Sequence, residues 1–272
     1  MPALSPEQLY LFDTTGFLLI RGAFDAGEVA AMRAELERIT PADSGFANTD
    51  RFRDLSAASE LFARTALDPR LVGPVREVVN QPLRLLEGYG LRRGPDSVLY
   101  LHGGNSELLD LGGGTVGRDM SITHTYHDGK LYCPYVKTLV YLSDITSRED
   151  GSFCYIQGSH KANFPLLRPR AERGARASLI DEGFPTLSDL YVRAGDVVVL
   201  NEALMHGTRR KRTPGDRLLV AYGYGPTFLT DWRELDGETD DLRGAGYVDH
   251  DVEEDFVHDA EPAHDTEEDL VS

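Results

Sequence analysis

The sequence has few cysteines, few basic residues and no long apolar run. Its 272 residues include only two cysteines, Cys133 and Cys154, which is too few for a disulfide framework. No apolar run approaches the 18 residues that a membrane-spanning helix needs, and no charged segment followed by an apolar segment opens the chain. We therefore expect a soluble protein of the reducing cytoplasm that does not bind membranes.

Basic residues are also outnumbered, by 45 Asp and Glu to 28 Lys and Arg, which gives a formal net charge of −17. Residues 231–272 hold seventeen of the acids and two of the bases, a local net charge of −15, so the first 230 residues carry only −2. Long nucleic acids need a basic surface and are excluded as partners. We predict one domain over residues 1–235 and a disordered acidic tail over residues 236–272.

Motifs of several common enzyme classes are absent. The chain contains no Gly-x-Ser-x-Gly nucleophile turn, no phosphate-binding loop and no glycine fingerprint for dinucleotides. Cys133 and Cys154 lie in or beside apolar, strand-like runs, where a free cysteine usually acts as a small buried hydrophobe. Nucleophilic hydrolysis and nucleotide binding are therefore not indicated.

The pattern along the chain predicts helices first and strands afterwards. Capping residues and helical periodicity indicate helices over residues 6–12 and 26–39, and a helical stretch over residues 61–79 that is interrupted at Asp68-Pro69. An apolar strand-like run lies at residues 16–20. Beyond Pro82, short strand-like runs alternate with glycine-rich turns: residues 83–91, 97–102, 135–142, 152–157, 189–192, 197–201 and 217–224. Many short strands predict an antiparallel sandwich or barrel with helices packed outside.

Two segments between these elements read as loops. Residues 41–56 are polar and contain proline and glycine, and residues 103–117 are too rich in glycine for a core element. The second segment is long and lies beside His102, so it is a candidate active-site lid.

Two histidines stand at the ends of predicted strands. His102 ends one strand and enters the glycine-rich segment, whereas His206 follows the apolar run 197–201. Two histidines at strand ends of facing sheets can converge on one metal ion. Arg217 comes eleven residues after His206, and its guanidinium could bind a carboxylate through two hydrogen bonds.

Several sequence blocks follow one another in a characteristic order. They are Gly-Phe-Leu-Leu-Ile-Arg-Gly-Ala-Phe (16–24), Tyr-Leu-Ser-Asp-Ile (141–145), Glu-Asp-Gly-Ser-Phe (149–153), Gln-Gly-Ser-His-Lys (157–161), Ala-Gly-Asp-Val (194–197), His-Gly-Thr (206–208) and Arg217. The Gly-Ser-His-Lys and His-Gly-Thr blocks are the most specific of these. In this order the blocks resemble the phytanoyl-CoA dioxygenase family of Fe(II)- and 2-oxoglutarate-dependent oxygenases, and the resemblance covers residues 7–226.

The resemblance implies a mainly β fold with flanking helices and a double-stranded β-helix core, which is a jelly-roll or cupin-like architecture. It implies Fe(II), 2-oxoglutarate and O₂ as reactants, and hydroxylation or another oxidation of a small molecule, in a monomer or a small homo-oligomer. His206 would be the distal iron ligand, and Arg217 would hold the far carboxylate of 2-oxoglutarate, with Thr208 and Tyr141 beside the co-substrate. His160, in the Gly-Ser-His turn, would be structural.

The chain departs from the family pattern at the first pair of ligands. The family uses His-x-Asp, and the aligned positions here are His102-Gly103-Gly104, which lack the carboxylate. Asp128 is the leading replacement, with Asp110 and Glu107 as alternatives. The position could instead take a chloride ion, as in halogenases of the family, or the chain could have lost iron and serve as a binding module.

The first histidine ligand also has alternatives. His102 is the first choice, and His124 and His127 are the others. His127 and Asp128 are adjacent, so on a regular strand their side chains point to opposite faces.

Basic loops offer a hint about the substrate. Arg209 and Arg210 follow His206 directly, and four further arginines lie within residues 168–176. Around the mouth of the site these residues, with His127, could attract an anionic substrate such as a phosphorylated metabolite. They are equally well explained as solvated side chains on surface loops.

Overall fold

The computed structural model describes residues 4–105, 108–112, 115–164, 166, 179–181 and 183–229. The predicted acidic tail and the arginines within residues 168–176 lie outside this range. The named α-helices are α1 Pro6–Thr15, α2 Ala26–Arg38, α3 Leu55–Ala58, α4 Glu60–Ala66 and α5 Pro69–Val79, and a short 3-10 helix lies at Ser159–Lys161.

Fifteen strands are described. They are β1 Phe17–Ile20, β2 Ala42–Asp43, β3 Thr49–Phe52, β4 Leu83–Arg93, β5 Leu99–His102, β6 Leu108–Gly112, β7 Thr115–Arg118, β8 Thr125–His127, β9 Lys130–Tyr132, β10 Val136–Tyr141, β11 Phe153–Ile156, β12 Leu187–Leu190, β13 Val197–Asn201, β14 His206–Thr208 and β15 Arg217–Pro226.

Helices open the chain because their first turns are well capped. Ser5 and Asp25 each accept a backbone hydrogen bond from the first turn of the helix that follows, and a glutamine or glutamate three residues on reaches back to the cap. These two capping boxes satisfy amide groups that would otherwise lack partners. No helix in the described part of the chain is long and apolar enough to cross a membrane.

Two antiparallel sheets form the centre of the molecule. The larger has the strand order β1-β13-β10-β15-β4-β3-β2, and the smaller has the order β12-β11-β14-β5. The helices cover one face of the larger sheet, where Phe12, Met32 and Val75 join Val140 and Val220 in one apolar cluster. On the other face, side chains of both sheets meet in a second cluster. This arrangement is the predicted jelly-roll core with helices outside.

The structure corrects two details of the prediction. Residues 41–56 contain β2, β3 and the start of α3 rather than a loop alone. Part of the predicted glycine-rich loop pairs as the hairpin β6-β7, with Leu108 opposite Arg118. The predicted interruption at Asp68-Pro69 is present, because Asp68 caps a new helix that begins at Pro69.

Candidate metal and co-substrate site

The two predicted histidines lie side by side on the smaller sheet. His102 in β5 and His206 in β14 are direct partners in the antiparallel register, and their ring centroids are 4.2 Å apart. Each Nδ1 lies within hydrogen-bond distance of a backbone carbonyl two residues earlier, at 2.9 Å from Tyr100 and 2.7 Å from Leu204. With the Nδ1 proton donated to a carbonyl, the Nε2 lone pair of each ring is available for a metal.

Both rings are electrically neutral near pH 7. Burial lowers the pKa of His102 to about 3, and the neighbouring His206 lowers it further. Burial likewise lowers the pKa of His206 to about 4. Since a metal binds the unprotonated ring, these shifts keep both side chains in the form that can act as a ligand.

Glu202 is the candidate for the carboxylate that Gly104 cannot supply. Its Oε1 lies 3.9 Å from His206 Nε2, and the candidate ligand atoms of His102, Glu202 and His206 all lie within 4.8 Å of one another. Glu202 is buried, and its Oε1 has no hydrogen-bond partner. Two imidazoles and one carboxylate are the ligand set of non-haem Fe(II) oxygenases, so these residues fit such a metal.

A double-glycine turn explains how Glu202 comes close to His102. Gly103 and Gly104 have φ values of +77° and +126°, which disfavour residues with side chains. A Cβ atom at Gly103 would lie 2.6 Å from the carbonyl oxygen of Glu202, and one at Gly104 would touch the Met205 side chain. The chain therefore turns tightly against residues 202–205 directly after His102.

Buried charges of both signs surround the Glu202 carboxylate. Lys137 Nζ lies 3.4 Å from Glu202 Oε2 and 2.9 Å from Oε1 of the buried Glu87. Arg51 lies within 3.8 Å of Glu87, and the Tyr135 hydroxyl donates to the same carboxylate. Burial opposes the charge on Lys137, but the two carboxylates outweigh it and hold the pKa of Lys137 well above its usual value.

Arg217 lies on the larger sheet, across the cavity from the histidines. Its side chain is buried, its Cζ lies 5.6 Å from the centroid of the Tyr141 ring, and its Nε has no hydrogen-bond partner. Thr208 belongs to the same end, where its hydroxyl accepts a 2.9 Å hydrogen bond from the Leu99 amide.

One cavity between the two sheets connects these groups. It contains about 610 Å³ of space, part of which is open to solvent. Side chains from both sheets line it: Arg51, Tyr89, Leu91, Arg93, Leu99, His102, Lys137, Leu139, Phe153, His206, Thr208, Arg217 and Leu219. The predicted residues His102, His206, Thr208 and Arg217 thus share one cavity, with Tyr141 packed against Arg217.

The structure does not bring Asp128 to the two histidines. Asp128 and His127 occupy the exposed turn between β8 and β9, where the Asp128 side chain is 92% exposed and the His127 ring stacks on Tyr132. Glu107 lies outside the described residues, and no side chain is described for Asp110. Among the described side chains, Glu202 therefore takes the place of Asp128 as the candidate carboxylate ligand.

The basic residues after His206 do not line the cavity. Arg209 is buried and bound to Asp189, with 2.7 Å between its Nε and Oδ1. Arg210 lies 3.6 Å from Asp181 and donates a hydrogen bond to the carbonyl of Asp96. Both guanidinium groups thus have partners within the protein, which weakens the interpretation that they attract an anionic substrate.

The other buried histidines hold the end of α1 in place. His124 Nε2 lies 2.9 Å from Asp13 Oδ1, and His160 Nε2 lies 2.9 Å from the carbonyl of Asp13. These contacts confirm the structural role expected for His160. They give His124 a structural role as well, which leaves His102 as the partner of His206.

Sequence reasoning missed Glu202 and Lys137. A signal for Glu202 is visible in the sequence. This glutamate comes two residues after the fully apolar run 197–200 and four residues before His206. An acidic residue at the end of a buried strand is costly unless it is paired or binds a metal. Lys137 gave no such signal, because its contacts with Glu87 and Glu202 depend on which strands pair.

Comparison with known proteins decides the family. The model of the phytanoyl-CoA dioxygenase (PhyH) family matches residues 12–219. The chain belongs to the phytanoyl-CoA dioxygenase family. It is 29% identical to the ectoine dioxygenase of Stutzerimonas stutzeri (strain A1501), over 81% of this chain and 76% of that protein.

Solved structures give a closer relative. HygX from Streptomyces hygroscopicus, with nickel, 2-oxoglutarate and hygromycin B bound, is 76% identical over 93% of this chain and 100% of that chain, with a TM-score of 0.82. The iron-bound form of HygX has a TM-score of 0.79, at 76% identity over 94% of this chain and 100% of that chain. This phytanoyl-CoA dioxygenase family member is thus an Fe(II)- and 2-oxoglutarate-dependent dioxygenase, as the sequence predicted.

Proposed function

We propose that His102, His206 and Glu202 hold Fe(II) in this enzyme and that Arg217 binds the far carboxylate of 2-oxoglutarate. The buried Glu202 Oε1, which has no hydrogen-bond partner beside two neutral imidazoles, carries this proposal. A buried carboxylate oxygen without a partner is costly, and a divalent cation would compensate it.

Each residue contributes separately to the oxidation. When bound, the iron supplies the activation of O₂ that is coupled to decarboxylation of 2-oxoglutarate. Two neutral rings and one carboxylate leave coordination positions for the co-substrate and O₂. Arg217 orients the co-substrate from the opposite sheet, and apolar side chains such as Leu139 and Phe153 keep water away from the reacting groups.

The substrate that the comparisons favour is a small molecule of the hygromycin B type. HygX binds hygromycin B, and this chain is 76% identical to HygX. Insertion of oxygen or removal of hydrogen is favoured over halogenation, because Glu202 would occupy the metal position that a chloride ion needs.

A metal-binding experiment tests the ligand set. Ni(II) binding is measured by calorimetry for the native protein, Glu202→Ala and Asp128→Ala. We expect Glu202→Ala to lower the affinity at least tenfold, because it removes one of three ligands, and Asp128→Ala to bind as the native protein does. The reverse pattern would assign the carboxylate to Asp128.

A turnover experiment tests the substrate class. Succinate formation from 2-oxoglutarate under air is compared with and without hygromycin B, and the products are examined by mass spectrometry in the presence of chloride. We expect hygromycin B to stimulate succinate formation and its product to carry no chlorine, with His206→Ala as the inactive control. A chlorinated product would support halogenation, and no stimulation would contradict this substrate class.

A further inference from the structure

The turn between β13 and β14 is built around Asn201, the last residue of β13. The Leu204 amide donates a 2.9 Å hydrogen bond to the Asn201 carbonyl, and the Ala203 amide donates one of 2.9 Å to the side-chain Oδ1 of Asn201. The carbonyl of Leu204 in turn lies 2.7 Å from Nδ1 of His206. Since Glu202 lies inside this turn, the turn orients both Glu202 and His206.

The amide group of Asn201 is itself held in one orientation. The residue is 0% exposed. Its Nδ2 lies 2.8 Å from Nδ1 of His124 and 3.3 Å from Sγ of Cys133, while its Oδ1 accepts from the Ala203 amide. Rotation of the amide would exchange donor and acceptor and break these hydrogen bonds, which is costly in a buried site.

Asp13 determines which nitrogen of His124 faces Asn201. The Oδ1 of Asp13 lies 2.9 Å from Nε2 of His124. Burial lowers the pKa of His124, although the Asp13 carboxylate opposes the shift, so the ring is neutral near pH 7 and carries one proton. Because a carboxylate only accepts, this proton lies on Nε2, and Nδ1 is left as the acceptor for the Asn201 amide.

We propose that Asn201 is a positioning residue of the candidate metal site, and that His124 and Asp13 fix its amide so that the turn presents Glu202 to the metal. This inference rests on the proposed function, because it assigns what orients the proposed carboxylate ligand. It gives the Asp13–His124 pair a role beyond holding α1. Metal affinity should therefore depend on the hydrogen-bond acceptor that position 124 offers to Asn201.

Two substitutions at His124 separate this role from general support of the fold. The side-chain oxygen of asparagine lies as many bonds from Cα as Nδ1 of histidine does, and the end of glutamine lies as many bonds away as Nε2. His124→Asn therefore keeps an acceptor for Asn201 and loses the contact with Asp13. His124→Gln keeps a polar contact with Asp13 and loses the acceptor.

The experiment measures metal binding and stability separately. Dissociation constants of Ni(II) are determined by calorimetry for the native protein, both His124 variants, Asn201→Ala and Glu202→Ala, and urea unfolding of the metal-free proteins records stability. His160→Gln is the matched control, because His160 is a second buried histidine that holds α1, through the carbonyl of Asp13.

We expect His124→Gln and Asn201→Ala to weaken Ni(II) binding about 10- to 100-fold, the usual effect of losing a group that orients a metal ligand. His124→Asn and His160→Gln should change it less than about threefold, although both lower stability. In Asn201→Ala, the visible absorption bands of bound Co(II) should shift in the same direction as in Glu202→Ala, because in both variants the carboxylate no longer binds the metal.

The outcomes separate this inference from the proposed function. If His124→Asn and His124→Gln affect Ni(II) binding equally, or if His160→Gln weakens it as much as His124→Gln does, these residues only support the fold and the inference is overturned. If Glu202→Ala binds Ni(II) as the native protein does, the proposed ligand set itself fails.

Discussion

Lys137 shows, at the scale of single residues, how the candidate metal site balances its charge before any metal binds. Its ammonium group lies between the buried carboxylates of Glu87 and Glu202, contacting Oε2 of Glu202 and leaving Oε1 toward His206. Outer groups of this kind fix the orientation of a metal ligand. The same ammonium group keeps two buried carboxylates from repelling each other.

Replacement of Lys137 should therefore destabilise the protein. We expect Lys137→Met to lower the free energy of unfolding by about 3–5 kcal/mol, because it leaves buried carboxylates without their cation. Urea unfolding of the metal-free protein measures this loss. The double variant Lys137→Met/Glu87→Gln should recover part of it, since one of the two carboxylates becomes neutral. If the free energy of unfolding of Lys137→Met lies within about 1 kcal/mol of the native value, Lys137 does not compensate the buried carboxylates.

His160 makes stability depend on pH. Burial lowers its pKa to about 4, and its Nδ1 has no hydrogen-bond partner. The ordinary pKa of histidine in an unfolded chain is about 6.5, so between pH 6.5 and pH 4 the unfolded chain binds more protons than the folded protein. Stability is therefore lost as the pH falls through this window, by up to about 3 kcal/mol from this residue.

Substitution of His160 should reduce that dependence. Urea unfolding at pH 7 and pH 4.5 should show a smaller difference for His160→Gln than for the native protein, because glutamine does not titrate. His127→Gln is the control, because His127 is exposed on the turn between β8 and β9. Equal pH dependence in His160→Gln and the native protein would mean that the His160 ring is protonated without cost.

At the scale of elements, the turn after β5 determines where the carboxylate can come from. Gly103 takes a left-handed conformation and leaves no room for a Cβ atom, which would lie 2.6 Å from the Glu202 carbonyl oxygen. Gly129, in the turn between β8 and β9, is equally left-handed at φ +75°, but a Cβ atom there meets nothing within 4 Å. The two glycines share the same backbone strain and differ in the steric clash.

Alanine substitutions at these glycines separate the two contributions. Gly129→Ala should cost about 1 kcal/mol, the usual penalty for a left-handed residue with a side chain. Gly103→Ala should cost clearly more and should weaken Ni(II) binding, since residues 202–206 must move away. Urea unfolding and calorimetry measure the two effects. If both substitutions lower the free energy of unfolding equally, the backbone near Gly103 moves enough to accommodate a Cβ atom.

The sequence predicted the elements better than their pairing. Apolar runs marked the strands that carry His102 and His206, and their positions at strand ends gave the metal hypothesis. Glu202 was not predicted as a ligand, because local periodicity does not show that its carboxylate lies near His102, which belongs to a distant strand. Arg93 and Arg217 are 124 residues apart, and only the register of β4 and β15 makes them neighbours. The β6-β7 hairpin was missed because its glycines resemble those of a loop.

At the scale of the whole molecule, the candidate metal-binding and co-substrate-binding residues of the cavity lie on two different sheets. The smaller sheet carries His102 and His206, whereas the larger sheet carries Arg217. In the proposed function, 2-oxoglutarate reaches from the metal to the arginine and so connects the sheets. Ligands that bind only the folded state stabilise it, by about 2.7 kcal/mol at a concentration 100 times the dissociation constant.

Thermal unfolding should show this division. We expect Ni(II) to raise the Tm of the native protein, and 2-oxoglutarate to raise it further only when Ni(II) is present. Arg217→Gln should keep the increase due to Ni(II) and lose the increase due to 2-oxoglutarate, since the substitution leaves the smaller sheet intact. An Arg217→Gln variant that responds to 2-oxoglutarate as the native protein does would place the co-substrate elsewhere.

The pairing of β5 with β14 has a consequence for how the protein folds. Glu202 and His206 lie within five residues, but His102 is 104 residues away along the chain, so the three groups meet only after a long loop has closed. Closure of such a loop costs chain entropy before any contact repays it. With the proposed ligand set, metal binding would follow the docking of these two strands, and during synthesis it would wait until the segment that ends at His206 has been made.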